Sequence, residues 1–195
     1  MIRAVGRSIV AVVILTVAFG IVYPLVMTGI AQVAFSGTAN GSLITVNGKT
    51  VGSKLAAQSF TGKQYFHERP SATAPVYNAM GTTFSNLGPT SDALKKQVHD
   101  EIAAVMKLEG PYNPGLKVGD IPVDAVTTSG SGIDPDISPA YAHLQAARIA
   151  AVRHIPLSTV DSLISQHTDS RFLGLFGEPG VNVLELNLAL DRMSH

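Results

Sequence analysis

The chain contains no cysteine. That excludes a disulfide scaffold, cysteine-ligated zinc and thiol catalysis, and it leaves an exported domain of this size to fold on its core alone. Charge is also scarce. Lysine, arginine, aspartate and glutamate make up only 14% of the 195 residues, and 14 basic residues match 14 acidic ones. Without a basic field there is nothing to attract nucleic acid or anionic lipid, so those partners drop out. A surface poor in charge is suited to being covered by partner subunits. The scarcity is greatest near the start, where neither a charged residue nor a histidine falls between Arg7 and Lys49.

The first part of that gap, Ile9 to about Phe35, is almost continuously apolar. A helix of about 20 apolar residues crosses a bilayer core, and a longer one crosses with tilt or projects past it. Its backbone groups bond within the segment, so a single span is self-sufficient in lipid. Arg3 and Arg7 precede the run and no basic residue follows closely, which predicts a cytoplasmic N-terminus. The alternative is a cleaved secretory signal, whose apolar core is usually about 7–15 residues long. The run here is longer, and no clean small-x-small site follows its centre. Within it Pro24 removes a backbone donor and is a candidate kink. Gly20, Gly29, Ala18 and Ala31 either admit a second helix closely or simply face lipid.

The expected layout is a cytoplasmic N-terminus (1–8), a transmembrane helix with its outer extension (9–35), a flexible linker of small polar residues (36–42) and an extracytoplasmic domain (43–195). After the anchor about 160 residues remain, enough for one domain with a real core and too few for two. Leu43–Val46 and Thr50 to about Ala56 flank Asn47-Gly48, a hairpin turn. Tyr65–Leu87 has no period and reads as an ordered, irregular loop. Leu94, Val98, Ile102 and Val105 predict a helix from Ser91 to about Leu108, stopped by Gly110-Pro111. Ile121–Thr127 reads as a strand, with Pro122 placing it at an edge or a strand start. Ser138-Pro139 opens a helix to about His154, and Ser158 with Asp161 a shorter one to Gln166. Leu184, Leu186, Leu188 and Leu190 alternate with polar residues, predicting a half-buried strand over Val181–Leu190, with a helix as the lesser alternative. The fold class is one N-terminal transmembrane helix followed by a single mixed α/β (α+β) domain.

The search for chemistry finds little. Ser129-Gly130-Ser131-Gly132 is glycine-rich, but a phosphate loop needs Lys followed by Ser or Thr at a helix start, and a dinucleotide fingerprint needs a third glycine. Asp134-x-Asp136-x-Ser138 has calcium-loop spacing, yet Pro139 stands where the turn needs glycine and Gln145 where a bidentate Glu belongs. A tight turn feeding the next helix and a functional loop both remain open. His67, His99, His143, His154, His167 and His195 show no metal-site spacing, and no G-x-S-x-G elbow exists. No metal site and no catalytic residue is assigned.

Taken in order, several blocks resemble the KdpC family, the C subunits of the Kdp potassium-transporting ATPases. They are Gly41-Ser42-Leu43-Ile44 after the span, Tyr65-Phe66-His67-Glu68-Arg69-Pro70-Ser71, Ser85-Asn86-Leu87-Gly88-Pro89-Thr90, the stretch from Val126 to Val152 containing Ser129–Pro135, and Phe176-Gly177-Glu178-Pro179 with Val181–Asp191. The sequence departs from the family at Gly81–Phe84, usually richer in glycine, and at Glu68, where glycine is common.

The resemblance implies a non-catalytic accessory subunit of a high-affinity ATP-driven potassium uptake complex in the cell (inner) membrane. Its implied partners are a P-type ATPase subunit that handles ATP, a channel-like subunit that selects potassium, and a small single-span subunit. No cofactor is implied for this chain. ATP belongs to the complex, and potassium is the transported ion. The family is also described as a catalytic chaperone raising the pump subunit's ATP affinity, and its Ser-Gly-Ser-Gly loop and downstream glutamine have been likened to a nucleotide signature. The candidate partner- or nucleotide-affinity residues are therefore Asn86, Ser129, Gly130, Ser131, Gly132, Asp134 and Gln145. If Arg3 and Arg7 set the topology, these lie across the membrane from cytoplasmic ATP, and any effect on ATP is conformational. The competing classes are a membrane-anchored extracytoplasmic hydrolase and a solute-binding module, each of which would act without partners.

Overall fold

The computed structural model describes residues 2–193. The chain forms two compact units, residues 1–44 and 45–195.

In the first unit one continuous helical stretch runs Ile2–Ala34, 33 residues long and apolar enough to cross a bilayer. At about 1.5 Å per residue it reaches about 50 Å, more than the hydrocarbon core requires. It has three parts: α1 (Ile2–Val17), a π-helical turn (Ala18–Val22) and α2 (Tyr23–Ala34). The π turn has an identifiable cause. Pro24 has no N–H to offer Gly20 O, and its ring crowds that carbonyl. The widened turn relieves the crowding, and the Tyr23 N–H bonds Ala18 O, five residues back. The connector expected to be flexible makes a helical turn, α3 (Ser36–Ala39), tied to α2 by the paired amides of Gln32 and Asn40.

The hairpin around Asn47-Gly48 is present as β1 (Leu43–Val46) and β2 (Lys49–Ser53), a two-stranded sheet with Asn47 and Gly48 at the positive φ their turn needs. The core of the second unit is built on α5 (Pro139–Arg153), which starts as its sequence predicts. Ser138 Oγ accepts from Tyr141 N, Pro139 takes the first helical position, and His154 closes the helix at φ 56. Around α5 pack α4 (Asp92–Glu109), N-capped by Ser91, then α6 (Leu157–Gln166) and α7 (Val183–Met193). Phe66, Ile149, Val160, Ile164, Val181 and Leu186 are fully buried in one cluster. Each such side chain stabilises the fold by about 1.5–3 kcal/mol. A small antiparallel sheet of order β3-β5-β4 joins Asp136–Ile137, Gly180–Asn182 and Thr168–Asp169. Its register pairs Ile137 with Val181 and Val181 with Thr168.

Three further expectations are corrected. Val181–Leu190 is a strand only to Asn182 and then a helix. Its buried residues are Val183, Leu184, Leu186, Asn187 and Leu190, a helical stripe with which the alternating leucines partly coincide. The overlooked signal was Asn182 followed three residues on by Glu185, for Asn182 Oδ1 accepts from Glu185 N at 3.1 Å. Ile121–Thr127 is not a strand. Pro122 instead precedes a 3₁₀ turn, Val123–Ala125. The helix expected to start at Ser158 starts one residue earlier with Pro156 at the cap, and Asp161 faces His143 Nδ1 at 3.0 Å.

Candidate functional site

The Tyr65–Leu87 segment is irregular, as expected, but firmly held at its start. Phe66 gives its N–H to Asn187 Oδ1 (2.8 Å), and Asn187 Nδ2 returns a bond to Phe66 O (3.0 Å). Gln145 does the same for the next residue, accepting from His67 N (2.7 Å) and donating to His67 O (2.9 Å). Two side-chain amides thus replace the neighbouring strand that a strand-like segment would otherwise pair with. Beside them Arg148, fully buried, donates to Glu109 Oε1 (2.8 Å), Gln145 Oε1 (2.9 Å), Tyr65 O (2.9 Å) and Lys63 O. Burial pushes the Glu109 carboxyl up and Arg148 opposes that shift. Burial pushes His67 down, which keeps its ring neutral near Gly62 O.

The Ser129–Asp134 loop stands on this base. Arg69 reaches across to Asp134 Oδ2 (3.1 Å) and to Thr127 and Thr128. The loop's polar groups are largely spent on itself. Ser129 Oγ accepts from Gly132 N (2.9 Å), Ser131 Oγ from Ile133 N (3.2 Å), and Asp134 Oδ1 from Asp136 N (3.2 Å). Ser71 Oγ donates to Gly132 O at 2.6 Å. A phosphate cradle needs converging free amides, and the Gly132 and Ile133 amides are already engaged. The two glycines differ. Gly132 has φ +73, and a Cβ there would fall 2.6 Å from both Thr73 Cγ2 and Thr83 O, whereas Gly130 faces open space.

The predicted site residues therefore separate. Ser129, Gly132 and Gln145 are buried and hold the loop or its base, and Asp134 is ion-paired with Arg69. Gly130, Ser131 and Asn86 are exposed, with Asn86 at φ 53. Among the described residues no group of three or more His, Asp or Glu side chains can hold a metal ion. His195 lies outside the described residues.

Sequence reasoning missed a second feature. Arg171–Glu178 forms a tight knuckle closed by bonds from Phe172 N to Phe176 O (2.8 Å) and from Phe176 N to Phe172 O (3.0 Å). The Arg171–Glu178 ion pair (2.7 Å) clips its base. Its four large apolar side chains, Phe172, Leu173, Leu175 and Phe176, are 64–76% exposed. The cluster of Phe and Leu in the sequence was the signal, hidden because such residues normally mark the core.

One helix long and apolar enough to span a bilayer, joined to a mixed helix and sheet domain, defines the class of this protein. Over residues 5–192 the chain belongs to the KdpC family, described as K+-transporting ATPase, c chain. It is 50% identical to the potassium-transporting ATPase KdpC subunit of Acidobacterium capsulatum over 181 residues, covering 93% of this chain and 94% of that one. It is 51% identical to the subunit of the same name from Gemmatimonas aurantiaca, covering 90% and 85%. With that of Methylobacterium nodulans it shares 47% identity, covering 100% and 99%.

Proposed function

We propose that this chain is a non-catalytic accessory subunit of an ATP-driven potassium uptake complex, held in the cell membrane by its single span with the 43–195 domain outside. Family membership supports the complex, and Arg3 and Arg7 before an uncharged run support the orientation. Its partners are the P-type ATPase subunit, in which catalysis resides, the channel-like potassium-selecting subunit and a small single-span subunit. ATP is bound there rather than here. Any chaperone effect on ATP affinity is conformational, through contacts that differ between states of the partners.

The observation that carries the docking role is the exposed knuckle. Four large apolar side chains held out by a self-bonded turn are costly in water and suited to a partner's apolar pocket. The exposed Asn86, Gly130 and Ser131 belong to the contact surface in this reading, while Gln145 and Asp134 act by holding the backbone beneath it. The test is co-purification of the complex with the double variant Phe172→Ser, Phe176→Ser. The variant is expected to remain folded and membrane-bound while losing most of its association with the other subunits. Full assembly would remove the knuckle from the interface. A protease accessibility assay on a C-terminal tag in spheroplasts checks the orientation, and a protected tag reverses it.

A further inference from the structure

A cavity of about 420 Å³ lies between the start of the irregular segment and α4. Glu68, only 5% exposed, forms part of its wall. Glu68 Oε1 accepts from Gln58 N at 3.0 Å, while Oε2 is buried with no hydrogen-bond partner among the described residues. A buried acceptor left unsatisfied costs about 1–3 kcal/mol. Glu101 lines the same cavity, as do Tyr77 and Tyr141, and no lysine or arginine does. Asp134 and Asp136 also face Glu68 electrostatically, and His67 beside it is kept neutral by burial. Arg69, the next residue, gives its terminal nitrogens to Asp134, Thr127 and Thr128, while its Nε is buried without a hydrogen-bond partner among the described residues.

We propose that this cavity binds a primary alkylammonium group, with Glu68 Oε2 as its main acceptor. Glu68 and Glu101 are the acidic side chains that line the cavity and no lysine or arginine does, although Arg148 is felt at His67 and Tyr141. Once Glu68 gives up its proton, the fitting ligand is therefore a cation that donates hydrogen bonds. Glu68 offers only one unpaired oxygen, which suits a point-charge ammonium better than the two-pronged guanidinium. Apolar walls from Phe60, Val76, Val105 and Leu108 suit a methylene stem, and the tyrosine rings favour the charge. The amine is either a free small molecule or a lysine side chain of another subunit. The lysine source rests on the accessory-subunit reading, and the free-amine source does not. Burial raises the Glu68 carboxyl to about 8, so binding releases a proton from it and tightens as pH rises.

The test titrates n-butylammonium chloride into the full-length chain in detergent by calorimetry, against tetramethylammonium and potassium chloride at equal ionic strength. Butylammonium is expected to bind saturably, about tenfold tighter per pH unit up to roughly pH 8. Glu68→Gln is expected to lose at least about tenfold in affinity and to become flat in pH, with unchanged circular dichroism; Glu101→Gln tests the second carboxylate. Butylammonium binding no tighter than either control salt, or equal binding by a folded Glu68→Gln variant, overturns the site. In the purified complex, carbodiimide coupling of Glu68 to another subunit's lysine assigns the lysine source. Binding by the chain without that crosslink assigns a free amine. Wild-type co-purification is scored separately: its absence defeats the subunit reading and leaves the butylammonium result standing.

Discussion

Residues 63–69 and residues 171–178 both run outside helices and without a full sheet neighbour, yet they are held in opposite ways. The first stretch is bonded almost entirely by side chains from elsewhere. Asn187 takes Phe66, Gln145 takes His67, and Arg148 takes the carbonyls of Lys63 and Tyr65. The second is bonded to itself and points its apolar side chains outward. Cutting a contact in the first exposes a buried polar group, which costs stability. Cutting one in the second removes nothing that the fold depends on. One region maintains the domain, and the other is available to something outside it.

The sharpest way to break this contrast is Arg148→Met. It leaves the buried Glu109 without its partner and removes the donor from the Lys63 and Tyr65 carbonyls, so unfolding in urea is expected to show a loss of about 3–5 kcal/mol. A loss below about 1 kcal/mol would mean that the clamp does not hold the segment. Asn187→Leu ranks next, at about 1–3 kcal/mol, with faster hydrogen exchange at the Phe66 amide as the local signature. The loop glycines then separate from each other. Gly132→Ala is expected to cost about 1–3 kcal/mol because of its positive φ and close neighbours, and Gly130→Ala to stay within about 0.5 kcal/mol.

Glu68 sharpens the comparison through pH. Its folded-state carboxyl is raised to about 8 from an ordinary 4.5, so its contribution to stability is complete below about 4.5 and is lost as pH rises through about 8. Without amine present, Glu68→Gln is therefore expected to raise the thermal midpoint above that of the wild type at pH 9, with the gap closing toward pH 5. A gap that instead grows on acidification would place the carboxyl's shift in the opposite direction. A comparably small effect on stability belongs to the knuckle. Phe172→Ser with Phe176→Ser is expected to change unfolding free energy by no more than about 0.5 kcal/mol per site while weakening assembly.

What could be read from the chain alone is what depends on neighbours in sequence. The uncharged run announces a helix long and apolar enough to span a bilayer, because hydropathy acts through length and composition. Asn47-Gly48, Ser91 and Ser138 announce a turn and two helix starts because each bonds within a few residues. Where a local signal was ambiguous, as in the alternating leucines before Leu190, the three-dimensional core decided, and it put Asn187 on the buried face. The roles of the polar residues belong wholly to tertiary structure. Phe66 meets Asn187 across 121 residues and His67 meets Gln145 across 78, distances over which no spacing rule operates. The same folding engages Gln145 in backbone pairing, leaves one buried oxygen of Glu68 without a partner beside a cavity and holds two phenylalanines out of the core. A side chain's task is set by which groups folding brings within hydrogen-bond reach, and that is decided only when the chain closes on itself.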